Sequence, residues 1–223
     1  MHNEFNDALD DIWTKELADL DELLIPNYFG PMRRGGILFV GMNPSFNEKT
    51  ATNFFSEKIA PDTSVRSAFA WSTSPRMNRA SSIEYSEWSR QHYSTFFRFH
   101  DVIAKHCERD WNHLDLFNFR STNQKKFQKL LAKRPSYAEK QMDLFLCVVN
   151  SIEPEVILIA NANGARRARD FLGLEFDEKI GHYTHRIGDA IVPIFLSSML
   201  TNGVLDTFSR ERLIWQIRQS ILR

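Results

Sequence analysis

Gly41-Met42-Asn43-Pro44-Ser45 is the stretch of this chain whose residue types and spacing most clearly suit chemistry. Asn43 offers an amide that can orient a water molecule or read a polar ring. Gly41 lets backbone come close to a ligand, and Pro44 stiffens the turn. An Asn-Pro turn of purely structural use fits the same residues. A second asparagine, Asn118, closes the apolar run Leu114 to Phe119. Its amide donates and accepts together, which suits the polar edge of a ring. A strand-end residue bonded to nearby backbone is the alternative.

The elements that must carry these groups follow from pattern. Ile37-Leu38-Phe39-Val40, bounded by Gly35-Gly36, reads as a buried parallel strand at 37–41. Further strands are expected at 114–119, at 155–160 through Val156-Ile157-Leu158-Ile159-Ala160, and at 191–196. Residues 1 to about 24 read as an acidic amphipathic helix ended by Pro26, part of an N-terminal extension over 1–30. Residues 42–82 read as a long polar loop. Helices are expected from Ser86 to about Cys107 and from Ser136 to Ser151, with Ser136 and Glu139 forming a capping box. Another is expected from an Asn163 cap to Leu172, stopped by Gly173, and a last one after a Ser209 cap. Strands alternating with helices predict an α/β fold. The expected form is one domain over 1–223, a three-layer α/β/α with a four-stranded parallel sheet. In such sheets ligands sit beyond the carboxyl ends of the strands.

Composition narrows the function classes. The chain has 28 basic and 28 acidic residues, so strong non-specific affinity for nucleic acid is disfavoured. At 43% hydrophobic and 25% charged it belongs with soluble globular chains. No membrane-spanning run or signal-peptide layout is evident. Cys107 and Cys147 fit a reducing compartment and are too few for a four-thiolate zinc or iron–sulfur site. A cytoplasmic monomer without cofactor is expected. His182-x-x-His185 reads as a surface pair. Arg166, Arg167 and Arg169 read as a solvated helix face. Arg76 and Arg79, near Ser74, suit phosphate contact in the long loop.

Taken in order, these pieces resemble the uracil-DNA glycosylase superfamily over roughly residues 33 to 223. Gly41-Met42-Asn43-Pro44-Ser45 resembles its first motif, in asparagine-bearing branches. Leu116-Phe117-Asn118-Phe119-Arg120 resembles the second-strand segment whose asparagine reads the base. Phe195-Leu196-Ser197-Ser198-Met199-Leu200 falls where that superfamily carries a His-Pro-Ser loop, and the histidine is missing. Branches with an iron–sulfur cluster are excluded by the cysteine count.

The resemblance implies a DNA glycosylase of base excision repair, hydrolysing the N-glycosidic bond of uracil or another deaminated base. Its partner would be DNA, single-stranded or with the base flipped out. Asn43 would then orient the water, and Ser197 or Ser198 would donate to the departing base in place of the histidine. Gly41, Met42, Pro44 and Asn118 would bind the base. Phe46, Phe54, Phe55 or Phe69 would stack on it, Phe54 and Phe55 being favoured by their distance from the first motif. Met199 and Leu200 would form a wedge filling the vacated stack, or else simply end the fourth strand. The alternative function is a non-catalytic binder of a nucleobase, nucleotide or nucleic acid on the same fold.

Overall fold

A computed structural model describes residues 2–58, 64–71, 79–201 and 204–222, with backbone alone for His2, Lys58, Ser94 and Thr95. The helices are α1 (His2–Ile12, continued as a π-helical turn over Trp13–Leu17), α2 (Glu48–Lys58), α3 (Val65–Ala68), α4 (Arg79–His92), α5 (Ser94–Cys107), α6 (Gln124–Lys133), α7 (Pro135–Ile152), α8 (Ala162–Leu172) and α9 (Thr207–Ile221). The strands are β1 (Ile37–Gly41), β2 (Trp111–Asp115), β3 (Val156–Ala160), β4 (Phe176–Asp177), β5 (His182–Ile187) and β6 (Ala190–Ser197). The α/β class is as the alternating pattern predicts. The chain falls into two compact units, each assembled from three separated segments.

One unit, residues 32–42, 94–116 and 145–223, holds the whole sheet. Its order is β2-β1-β3-β6-β5-β4. β1 lies between β2 and β3 and is parallel to both, and β6 continues the parallel run. β1, β3 and β6 are expected strands, and β2 overlaps the expected 114–119 only at Leu114-Asp115. The expected count of four is corrected to six, because β5 and β4 add an antiparallel edge. β5 joins β6 through Gly188-Asp189, with Gly188 at φ 57°. That two-residue turn is the hairpin signal for these strands. His182-Tyr183-Thr184-His185-Arg186 is polar, so β5 carries no apolar strand pattern.

Every residue of β1 and β3 is buried, as their continuous apolar runs predict. Ile37, Phe39, Val156, Leu158 and Phe195 pack with Phe99 and Ile103 of α5 and with Leu213 and Ile217 of α9. α8 starts at Asn161, whose side chain accepts from the Asn163 and Gly164 N–H groups. The cap is thus two residues earlier than the expected Asn163. Gly173 at φ 60° ends the helix as predicted. Asn161→Ala should cost about 1 kcal/mol, read as a lower denaturation midpoint. An unchanged midpoint would show that α8 is held by packing alone.

The other unit, residues 1–31, 43–93 and 117–144, is built around aromatic rings. Phe54 stands edge-on to Phe55, Tyr85 and Trp88, and Phe69 edge-on to Phe46, Phe55 and Tyr85. Trp13, Phe117, Phe119, Phe127 and Tyr137 form a second group. The expected polar loop over 42–82 therefore contains α2 and α3, whose apolar side chains supply much of this core. The expected helix 86–107 is two helices, broken at Tyr93. α7 begins with Pro135, which suits a first helical position because its missing N–H needs no partner there. The Ala138 N–H bonds the Arg134 carbonyl, so the helix starts ahead of the expected Ser136 box. α9 is capped by Asp206, which accepts from the Ser209 N–H, rather than by Ser209.

Candidate functional site

The carboxyl edge of the sheet is built by four strand ends. Gly41 opposes Asp115 of β2, Val40 opposes Ile159 of β3, and Ala160 opposes Ser197 of β6. Asp115, Gly41, Ala160 and Ser197 therefore close their strands in one row. From β1 the chain turns to β2 on one side, and β3 lies on the other. That divergence is where ligands of open α/β sheets are held. α8 packs close here: a Cβ placed on Gly164 would lie 3.5 Å from the Met42 Cα and from Leu116.

Gly41 does not adopt a positive φ. Glycine is needed there for room. A Cβ at Gly41 would meet the Asp115 Oδ1 at 2.2 Å and the His113 ring at 3.5 Å. The Asp115 carboxylate thus occupies the space that Gly41 leaves, and the side chain is 8% exposed. His113 Nε2 lies 3.8 Å from Oδ1, a charge-pair distance too long for a hydrogen bond. His113 and Asp115, two apart on β2, share one face, and the His100 ring of α5 centres 5.4 Å from that of His113. Neither His113 nor Asp115 stood out in the sequence. β2 covers 111–115 rather than 114–119, and its polar residues mask a strand pattern.

Ser197 ends β6 and Ser198 follows, both partly buried. Met199 is 38% exposed, whereas Leu200 is buried with Phe195, Leu213 and Ile217. Leu200 is thus core in this structure, and Met199 alone of that pair offers surface. Met42 is buried. Asn202 lies outside the described residues, as do Ser74 and Arg76.

Asn43 belongs to the aromatic unit and is saturated with bonds. Its Nδ2 donates to the carbonyls of Ser121 at 2.8 Å, Phe119 at 3.1 Å and Pro44 at 3.2 Å. Its Oδ1 accepts from Gln124 Nε2 at 2.8 Å. The Ser121 N–H donates back to the Pro44 carbonyl at 2.9 Å. The amide is a latch between the first motif and the segment after Asn118. Asn118 is also buried. Its Nδ2 donates to the Asn27 carbonyl, and its backbone N–H donates to Gln141 Oε1 at 2.8 Å.

Arg120, also buried, donates from Nη2 to Asn27 Oδ1 at 2.9 Å and Ser82 Oγ at 3.1 Å. Its guanidinium carbon stands 5.3 Å from the Phe69 ring centre and 5.4 Å from that of Tyr85. Burial raises the Tyr85 phenol, and Arg120 partly offsets that rise. Burial also holds the Tyr137 phenol well above its ordinary value, so it stays protonated. Among the four aromatic candidates, Phe54, Phe55 and Phe69 are buried in the ring cluster, and Phe46 alone keeps accessible surface.

Arg79 is paired with Asp7 at 2.8 Å and Asp10 at 2.5 Å, a use of that side chain within its own unit. Among the described residues no group of three His, Cys, Asp or Glu side chains is placed to hold a metal ion. No described helix is long and apolar enough to cross a membrane. No family model matches the chain, and no curated protein matches it.

Proposed function

We propose that the chain is a glycosylase-like protein that hydrolyses the N-glycosidic bond of uracil or another deaminated base in DNA. It would act as a cytoplasmic monomer on single-stranded or flipped-out bases, in a three-layer α/β/α form of the fold. The observation that supports this reading is the row of strand ends at the sheet's divergence point, with a carboxylate beside Gly41 and a serine on β6. Departure of a base leaves negative charge on the ring and an oxocarbenium-like sugar. A carboxylate suits the sugar and the incoming water, and a Ser197 or Ser198 hydroxyl suits the base oxygen. A hydroxyl is a weaker stabiliser than a placed imidazole. Loss of one strong donor typically costs about 100- to 1000-fold, so cleavage should be slow.

The test is incubation of the full chain with single- and double-stranded oligonucleotides bearing uracil, hypoxanthine or xanthine, followed by alkaline strand scission. Slow cleavage, complete only with enzyme in excess, is the expected result. The second reading, a non-catalytic nucleobase binder, is favoured by the four hydrogen bonds that occupy the Asn43 amide. Uncut substrate that nevertheless shifts in fluorescence anisotropy would select it.

A further inference from the structure

We propose that Asp115 is the catalytic carboxylate at the sheet's carboxyl edge, in place of Asn43. This rests on the hydrolytic reading given above. Asn43 cannot take a proton from water, and its amide oxygen already accepts from Gln124. Asp115 ends β2 in the same row as Gly41, Ala160 and Ser197. Its carboxylate lies over the glycine, 2.2 Å from where a Cβ would stand, so a hydrogen at Gly41 is what gives it room. The His113 imidazole stands beside it, with Nε2 3.8 Å from Oδ1. β1 is buried along its length, and the carboxylate keeps a small exposed surface at the strand end, where a water can reach it.

The step balances as a hydrolysis. The bond from C1′ to the base nitrogen breaks, and its electron pair leaves with the base. Water oxygen bonds C1′, and the water's proton passes to the Asp115 carboxylate. The base anion takes a proton from solvent, and Asp115 returns its own to solvent.

Two substitutions separate this role from structure. Asp115→Asn keeps the shape and removes the basic oxygen. Gly41→Ala keeps every native polar group and forces the carboxylate out of its place. Each is measured for single-turnover cleavage of uracil in single-stranded DNA and for binding to the same strand carrying 2′-fluoro-2′-deoxyuridine, which resists hydrolysis. Melting curves confirm folding.

Asp115→Asn should slow cleavage roughly 100-fold or more, with binding changed less than about twofold. Gly41→Ala should lose a similar factor, and the double variant should be no slower than Asp115→Asn alone, because both remove one function. Native-rate cleavage by folded Asp115→Asn, or losses that multiply in the double variant, would overturn the role while leaving the hydrolytic reading intact. A native protein that binds the fluorinated strand yet cuts no base would overturn the hydrolytic reading and this role together.

Discussion

Asn43→Ala should lower the stability of the protein by about 2–4 kcal/mol, a drop of roughly 5–15 °C in Tm for a chain of this length. From residue type alone, Asn43 reads as a water-orienting group whose loss would spare the fold. The hydrogen bonds reverse that expectation. Removing the amide orphans the carbonyls of Phe119 and Ser121 and the amide of Gln124. A buried polar group left without a partner costs roughly 1–3 kcal/mol. Asn43→Asp should be at least as damaging, since it turns a carboxylate oxygen toward three carbonyl oxygens. Thermal melts by circular dichroism check both. A Tm within 1–2 °C of native, on that same scale, for Asn43→Ala would show that the amide is not a latch and is available for water.

Gly36→Ala should be as severe, at roughly 3–5 kcal/mol, in the range where single substitutions become exceptional. Two causes add. Gly36 has φ 68°, which costs a residue with a Cβ about 1–2 kcal/mol. The added Cβ would also lie 2.3 Å from the Asp110 carbonyl oxygen, a backbone atom. That oxygen accepts from the Ile37 N–H at 2.9 Å where β1 and β2 begin to pair, so it cannot move without disturbing the pairing. On the other side the Glu155 N–H donates to the Gly36 carbonyl at 2.9 Å. Gly188→Ala separates the causes, because Gly188 has φ 57° with no atom within 4 Å of its would-be Cβ. It should lose the conformational cost alone, about 1–2 kcal/mol. Equal losses at the two glycines, in urea denaturation, would rule out the contact with Asp110.

The strands legible in the sequence are those whose burial is continuous. β1, β3 and β6 announce themselves as apolar runs because both of their faces or most of their length are covered. β2 lies several residues before the strand its pattern predicts, since Asn112, His113 and Asp115 interrupt the apolar signal, and the same interruption hides Asp115 at the strand end. β5 carries no apolar signal because an antiparallel strand can be polar on a solvated face. The importance of Asn43 was legible from its turn, but not its use. Its partners at Phe119, Ser121 and Gln124 lie 76, 78 and 81 residues away, and local pattern carries no trace of such distances. The phenylalanines after the first motif suit a stacking face equally well by type. Only the packing of Phe54 against Tyr85 and Trp88, and of Phe55 against Phe69, places the two in the interior.

The central place of β1 has a consequence for biosynthesis. Its neighbours are β2, which begins at Trp111, and β3, which begins at Val156. On the ribosome, Ile37-Leu38-Phe39-Val40 emerges long before either partner exists. Until the chain has grown past Ala160, at least one of its hydrogen-bonding edges is open. A fully apolar segment in that state is a template for pairing with other chains. Nascent chains stalled between β2 and β3 are therefore the ones that should depend most on a chaperone, and that dependence should end once the third strand is released.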